Sequence, residues 1–115
     1  MLLKKCWQNV SIAMQIKFTD KAIAHLESII DIFVEYAGSR YAMKFSKLVE
    51  DKLNKLLRFP EIGFIEPLLA DRKSLYRATI IYDNYKMIYR VDGDTIWIVA
   101  FWDMRMNPER LKDMI

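Results

Sequence analysis

The apolar residues of this chain change their spacing at Pro60, and this change constrains the fold more than any other feature of the sequence. Before Pro60 they recur at steps of three and four residues, which is typical of amphipathic helices. After the loop "PEIGFIEPLLADRKS" they recur at every second position, which is typical of half-buried strands. Helices followed by a run of strands indicate an α+β domain.

The spacing predicts two helices joined by a tight connection. The first spans Lys21 to Ala37 and follows a short strand in "MQIKFTD", with Thr19 or Asp20 as its cap. Gly38 supplies a left-handed terminating residue, and Ser39 is predicted to cap the second helix, which ends before Pro60. So short a connection forces an antiparallel hairpin. The residues predicted to face the core are Ile23, Leu26, Ile30, Phe33 and Ala37, widened by Ile29 and Val34, and then Ala42, Phe45, Val49, Leu53 and Leu56.

The segment "LYRATIIYDNYKMIYRVDGDTIWIVAFW" predicts a three-stranded antiparallel meander with turns at Asp83-Asn84 and at Asp92-Gly93-Asp94. A two-residue first turn places Tyr82 opposite Tyr85, and alternation then divides the sheet into two faces. The face predicted to meet the helices carries Tyr76, Ala78, Ile80, Tyr82, Met87, Tyr89, Val91, Ile96, Ile98, Ala100 and Trp102. The other face carries Arg77, Thr79, Lys86, Ile88, Arg90, Trp97, Val99 and Phe101.

Cations are concentrated on this second face. The simplest register sets Arg77 directly opposite Arg90, where like charges destabilise a sheet. Lys86 shares the face, and Arg105 joins it if the last strand continues that far. We interpret the face as an anion-binding surface, against the alternative that the stems cover apolar neighbours while the charged heads reach water.

Glu66, in the loop "GFIEPLL", is expected to hang over the same face. A carboxylate near several cations stays ionised and can accept a proton, so Glu66 is a candidate general base. The alternative is a surface loop residue without a role. His25, the single histidine, is more typical of a helix surface than of a catalytic base.

The length of 115 residues fits one domain, which we assign to residues 14–115, with 1–13 as an N-terminal extension that contributes little. The single cysteine, Cys6, fits a reducing cytoplasm, and no segment is apolar enough to be a signal peptide or a membrane span. With one His and one Cys we expect no metal site, and the three glycines form no phosphate-binding loop, so no cofactor is expected.

The order of strand, helix hairpin and meander resembles the RelE/ParE superfamily of bacterial type II toxins. The resemblance covers about residues 14–112. Its most specific parts are Leu56-x-x-x-Pro60-x-x-Gly63, the strand from Tyr85 to Val91, and Asp103-x-Arg105-x-x-Pro108. It implies a twisted antiparallel sheet with an open concave face, growth inhibition by the free toxin, roles such as plasmid stabilization, and neutralisation by a cognate antitoxin in a hetero-oligomer.

We expect the chain to inhibit translation as a member of the ribosome-dependent branch, for which the resemblance implies an mRNA interferase, an endoribonuclease whose basic residues surround the scissile phosphate. Matching positions are Arg77, Lys86 and Arg105 as catalytic cations, with Glu66 as the base that takes the 2′-hydroxyl proton. Arg90, Lys86 and Arg77 would bind the RNA.

The chain also departs from that branch, because its last residues, "RMNPERLKDMI", hold neither the Tyr nor the His that usually acts there. The resemblance therefore leaves open the ParE branch, which poisons DNA gyrase by binding. A module that only holds an acidic antitoxin peptide is a further alternative.

Overall fold

A computed structural model describes residues 14–82 and 84–115, apart from the side chain of Met114; the extension predicted for residues 1–13 lies outside this part. Five strands form one sheet in the order β1, β5, β4, β3, β2. They are β1 Gln15–Phe18, β2 Phe64–Ile65, β3 Arg77–Tyr82, β4 Tyr85–Asp92 and β5 Thr95–Asp103. β1 pairs parallel with β5, and the other pairs are antiparallel. This confirms the predicted α+β architecture, although β2 lies in a segment that we expected to be irregular.

The two predicted helices are present as α1, Asp20–Ala37, and α2, Ser39–Arg58. The hydroxyl of Thr19 accepts a hydrogen bond of 3.1 Å from the amide of Ala22 and so caps α1. Gly38, with φ of +95°, is the single connecting residue. Ser39 is the first residue of α2 rather than its cap, and no side chain caps that end. Neither helix of this hairpin, nor any other in the described residues, is long and apolar enough to cross a membrane.

The buried side of α2 is the predicted one, with Ala42, Phe45, Val49 and Leu56 buried. In α1, Ile29 is buried as predicted, and the predicted residues Leu26, Ile30 and Phe33 pack against the same core. Ile23 and Val34, which were also predicted to face the core, are 43 % and 48 % exposed, and Ala22 is buried in addition.

Two irregularities change which side chains share a face of the sheet. In β5, Ala100 pairs with Ile88 and Ile98 pairs with Tyr89, so Val99 is one residue too many for β4. In β3, Ile80 pairs with Lys86 and Tyr82 with Tyr85, so Ile81 is the extra residue. An extra residue reverses the alternation beyond it.

Several predicted side-chain directions are therefore wrong. Phe101 packs in the core beneath the helices, whereas Tyr76, Ala78, Ala100 and Trp102 belong to a cluster on the other face. Arg77 lies opposite Tyr89 and not Arg90, so it shares the helix-facing side with Tyr89. The predicted pairing of Tyr82 with Tyr85 is confirmed.

The face away from the helix hairpin, expected to be open, is covered over its centre. A 3₁₀ turn, Pro67–Leu69, and a C-terminal helix, α3 Glu109–Met114, pack against it. Their buried side chains join the strands in a second core cluster made of Leu69, Ala78, Ile88, Val99, Ala100, Trp102 and Leu111.

Candidate functional site

Glu66 and Lys86 form a buried ion pair on the face away from the helix hairpin. Glu66 is 1 % exposed and Lys86 is 8 % exposed. The Lys86 ammonium donates to Oε1 of Glu66, and the Leu68 amide donates to Oε2 at 3.0 Å. The second bond makes Glu66 the cap of the 3₁₀ turn that follows it. Each oxygen of the predicted base is therefore engaged.

The C-terminal helix helps to close this face. Leu111 of α3 is fully buried in the second core cluster, which includes Trp102, the residue opposite Lys86 in the sheet. The Arg72 guanidinium donates to the carbonyls of Lys112 and Ile115, at 2.5 and 2.8 Å. Carbonyls at a helix end lack partners within the helix, so Arg72 fastens α3 to the segment after the 3₁₀ turn. No pattern in the sequence indicated this role of Arg72.

Arg77, predicted to be catalytic, supports a loop instead. It donates to the carbonyls of Gly63 and Glu61, at 2.9 and 3.3 Å. Tyr89 supports the same loop, because its hydroxyl donates to the Pro60 carbonyl at 2.8 Å and accepts the Gly63 amide at 2.9 Å. Burial raises the pKa of Tyr89 above its usual range, so the hydroxyl keeps its proton for the first of these bonds. Sequence reasoning treated Tyr89 only as core.

Arg105 lies beyond the end of β5, which stops at Asp103. Its guanidinium holds the Asp103 carboxylate through two bonds of 3.0 and 2.9 Å, and its amide donates to the same group. These bonds keep the pKa of Asp103 below its usual range and raise that of Arg105. The Asp103 carboxylate closes a turn at this point, so the strand does not continue as far as Arg105, the condition for placing Arg105 on the face of Lys86.

Arg90 is the predicted RNA-binding residue that remains on the face of Lys86. It lies opposite Trp97, with its guanidinium carbon 5.8 Å from the centre of the indole ring. Lys17 of β1 approaches the same ring at 5.8 Å. Arg90 also contacts Asp92 at 3.5 Å, so its charge is partly balanced.

His25 connects α1 to the bulge in β5. Its Nδ1 accepts the Phe101 amide at 3.3 Å, which requires a ring without a proton on that nitrogen. Burial, with a further contribution from Lys21, lowers the pKa of His25. Beside it lies a pocket of about 380 Å³ that Ser28, Tyr85 and Asp103 also line. The sequence signal for His25 was weak because its contact with Phe101 depends on how α1 packs against β5, which no local pattern specifies.

Of the four predicted catalytic residues, Glu66 and Lys86 are in contact, whereas Arg77 and Arg105 each bind a separate partner. These four residues therefore form one acid–cation pair, and Arg77 and Arg105 do not join it. Within the described ranges, no three His, Cys, Asp or Glu side chains are grouped as a metal ion would need.

Comparisons with known proteins agree with this fold. The family model for the ParE toxin of the type II toxin–antitoxin system parDE matches residues 16–108. A structure of the chromosomal ParDE system from P. aeruginosa is 25 % identical, with a TM-score of 0.62, over 76 % of this chain and 92 % of that one. The YoeB dimer from Staphylococcus aureus has the same coverage, 21 % identity and a TM-score of 0.53, which is a likeness of fold. No curated protein sequence matches significantly.

The sheet, the helix hairpin and these likenesses define a toxin of the RelE/ParE superfamily. Within it, the chain belongs to the ParE toxin family of type II toxin–antitoxin systems, since the family model spans most of its length. Membership implies a cognate antitoxin as partner.

Proposed function

We propose that this toxin acts by binding a target, DNA gyrase, rather than by cleaving RNA. The observation that carries the proposal is the buried Glu66–Lys86 pair, in which each carboxylate oxygen of Glu66 already accepts a hydrogen bond. Membership of the ParE family supports it, because the ParE branch is the one that poisons gyrase without a nuclease centre. The toxin would then act in the cytoplasm and be neutralised there in a complex with its antitoxin.

The chemistry of the pair argues against a general base. A base must lie within hydrogen-bond reach of the proton that it removes, and both Glu66 oxygens already accept bonds within the protein. Removing the Lys86 contact to free Glu66 would leave a buried charge without a partner, which is strongly unfavourable. The pair is better suited to holding the 3₁₀ turn on the sheet.

Ribosome-dependent mRNA cleavage is the second candidate, and the contact between Glu66 and Lys86 favours it in one respect. If α3 moved away, this contact would set a base beside a cation that stabilises the phosphate transition state. Arg105 would also have to leave Asp103, and Arg77 would have to act from the helix-facing side of the sheet. RNA binding by Arg90 would accompany this mechanism.

The double variant Glu66→Gln/Lys86→Met separates the two candidates. It removes both charges with nearly the same volume, a change that buried pairs often tolerate. We expect growth inhibition by the double variant after induced expression to stay within about threefold of that by the unaltered toxin. Loss of a catalytic base would instead lower the rate of mRNA cleavage by ~10² or more. Growth after induction is measured beside cleavage of translated messages, with Arg110→Gln as an exposed control. Loss of toxicity by a folded double variant would contradict the binding mechanism.

A further inference from the structure

The two helices of the hairpin carry charges of opposite sign. α1 has four carboxylates and one lysine, which gives it a net charge of −3 with His25 neutral. α2 has six cations and two carboxylates, which gives it a net charge of +4. One charged helix face is usually just solvated, whereas two neighbouring faces of opposite sign form a pair of surfaces that can complement a partner.

The charges are arranged in lines along the side of each helix that faces away from the sheet. Residues three, four or seven positions apart share one side of a helix, and the exposed charges follow this spacing opposite the buried residues. The acidic line of α1 consists of Asp20, Glu27, Asp31 and Glu35. The basic line of α2 consists of Arg40, Lys44, Lys47, Lys55 and Arg58.

An apolar groove lies between the two lines. It is a cavity of about 620 Å³ lined by Ile30, Val34, Ala42 and Met43 among others. Met43 is 71 % exposed and Val34 is 48 % exposed. The outer surface of the hairpin, by which we mean the groove and both lines, therefore has an apolar centre and a charged border on each side. Protein interfaces have the same arrangement of an apolar core and a polar rim.

The remaining charges of the hairpin do not alter this division. Asp51 interrupts the basic line and Glu50 borders it, and they pair with Lys47 at 3.5 and 3.4 Å. The helical spacing places Lys21 and Lys52 on the flanks of their helices opposite to the groove. In the part of the chain that the structure describes, the last three members of the acidic line form no ion pair.

This outer surface is complementary to itself. A two-fold axis that runs along the groove, parallel to the helices, places α1 of one copy over α2 of the other. Because Gly38 alone connects the helices, residues equally far from Gly38 in sequence lie at about the same height. Glu35, Asp31, Glu27 and Asp20 of one copy then face Arg40, Lys44, Lys47 and Lys55 of the other. An axis perpendicular to the helices would instead place acid on acid and cation on cation.

We propose that the outer surface of the helix hairpin is an interface between two copies of this chain. Val34 and Met43 of both copies pack along the axis, and the acidic line of each copy pairs with the basic line of the other. The apolar centre is small and the border is charged, so the dimer is weak and weakens further as salt is added. The proposal does not depend on whether the target is gyrase or mRNA.

Charge reversal at one contact tests the interface and its orientation. Asp31→Lys places two cations against each other at both symmetry-related contacts, and Lys44→Asp places two carboxylates there. We expect each variant of the full-length toxin to self-associate at least roughly tenfold more weakly than the unaltered chain. An equimolar mixture of the two variants should regain the original affinity within about threefold, because both contacts of the mixed dimer again join opposite charges.

Sedimentation equilibrium of the antitoxin-free toxin measures these dissociation constants at low and at high salt. Asp113→Lys, on α3 at the other face of the sheet, is the matched charge-reversal control and should leave self-association unchanged. Circular dichroism checks that each variant folds. An unaltered toxin that stays monomeric at roughly 0.1 mM in low salt would overturn the proposal. A mixture that associates no better than its two components would do the same.

Cross-linking identifies what occupies the groove. A photoreactive phenylalanine derivative replaces Met43 in the full chain, and isotope-labelled toxin is mixed with unlabelled toxin. Mass spectrometry then distinguishes contacts between copies from contacts within one copy. Attachment to α1 of a second copy supports the proposal. Attachment to residues 1–13 of the same chain would overturn it, as would attachment to the antitoxin in place of a second copy when the antitoxin is added.

Discussion

At the scale of single residues, Tyr89 and Arg77 are polar side chains that face inward and bind main-chain groups. Both lie on the helix-facing side of the sheet and bind main-chain groups of the loop between α2 and β2. Because a buried polar group is costly without a partner, these bonds stabilise the loop against the sheet.

His25 makes stability depend on pH. Its neutral ring accepts the Phe101 amide, and burial lowers its pKa below the ordinary value. As the pH falls, the unfolded chain therefore takes up a proton on His25 before the folded chain does. The contribution of His25 to the free energy of unfolding is fully present above about pH 6.5 and is lost as the pH falls through the folded-state pKa. The groups facing it are Lys21 on α1 and Tyr85 and Asp103 across the pocket.

We expect the melting temperature of the protein to fall between about pH 7 and pH 5 by several degrees more than that of His25→Gln. Glutamine can accept the same amide but does not titrate, so the difference between the two chains isolates the ring. Thermal unfolding followed by circular dichroism at each pH measures it. Parallel curves for the two proteins would show that His25 has no part in the pH dependence.

The sequence identified Glu66 and Lys86 as candidate site residues, but it did not indicate that they form a buried ion pair. Alternation placed Lys86 on the correct face, because no irregularity lies between it and Ile88. The contact between the two depends on where the 3₁₀ turn that Glu66 caps lies on the sheet, which no local pattern specifies. A loop glutamate that caps its own turn looks the same in sequence as one that reaches solvent.

At the scale of elements, the helices and strands were largely predictable because each follows from a repeating apolar pattern. The final segment has no such repeat, and it forms α3, a helix of six residues. The bulge at Val99 was not predictable, since an extra β-branched residue in an apolar strand leaves no mark in the sequence. This one residue moved Phe101 and Trp102 to opposite faces from those predicted.

The attachment of α3 is the element-scale feature most easily tested. Arg72 binds the carbonyls of Lys112 and Ile115, so Arg72→Ala leaves the end of α3 without that support. We expect the amides of residues 109–115 to exchange with deuterium roughly tenfold faster, while exchange in the strands stays the same. The reason is that a hydrogen bond to a charged group contributes about 1.5–3 kcal/mol. Lys73→Ala is the control. Unaltered exchange in Arg72→Ala would mean that Leu111 alone holds the helix.

At the scale of the whole molecule, the sheet of the toxin is covered on both of its faces. The helix hairpin covers one side of the sheet, and the 3₁₀ turn with α3 covers the centre of the other. The predicted catalytic cations are divided between these sides and the turn after β5. The predicted catalytic cations therefore do not share one site, which agrees with the proposed action by binding.

The central claim is most directly tested with purified DNA gyrase. The full-length toxin is added to gyrase, relaxed plasmid and ATP, and supercoiled product is separated on agarose gels; a parallel reaction supplies translating ribosomes with mRNA. We predict that supercoiling is inhibited, that the antitoxin reverses the inhibition, and that the mRNA stays intact. Cleavage of the translated message with undisturbed supercoiling would contradict the account.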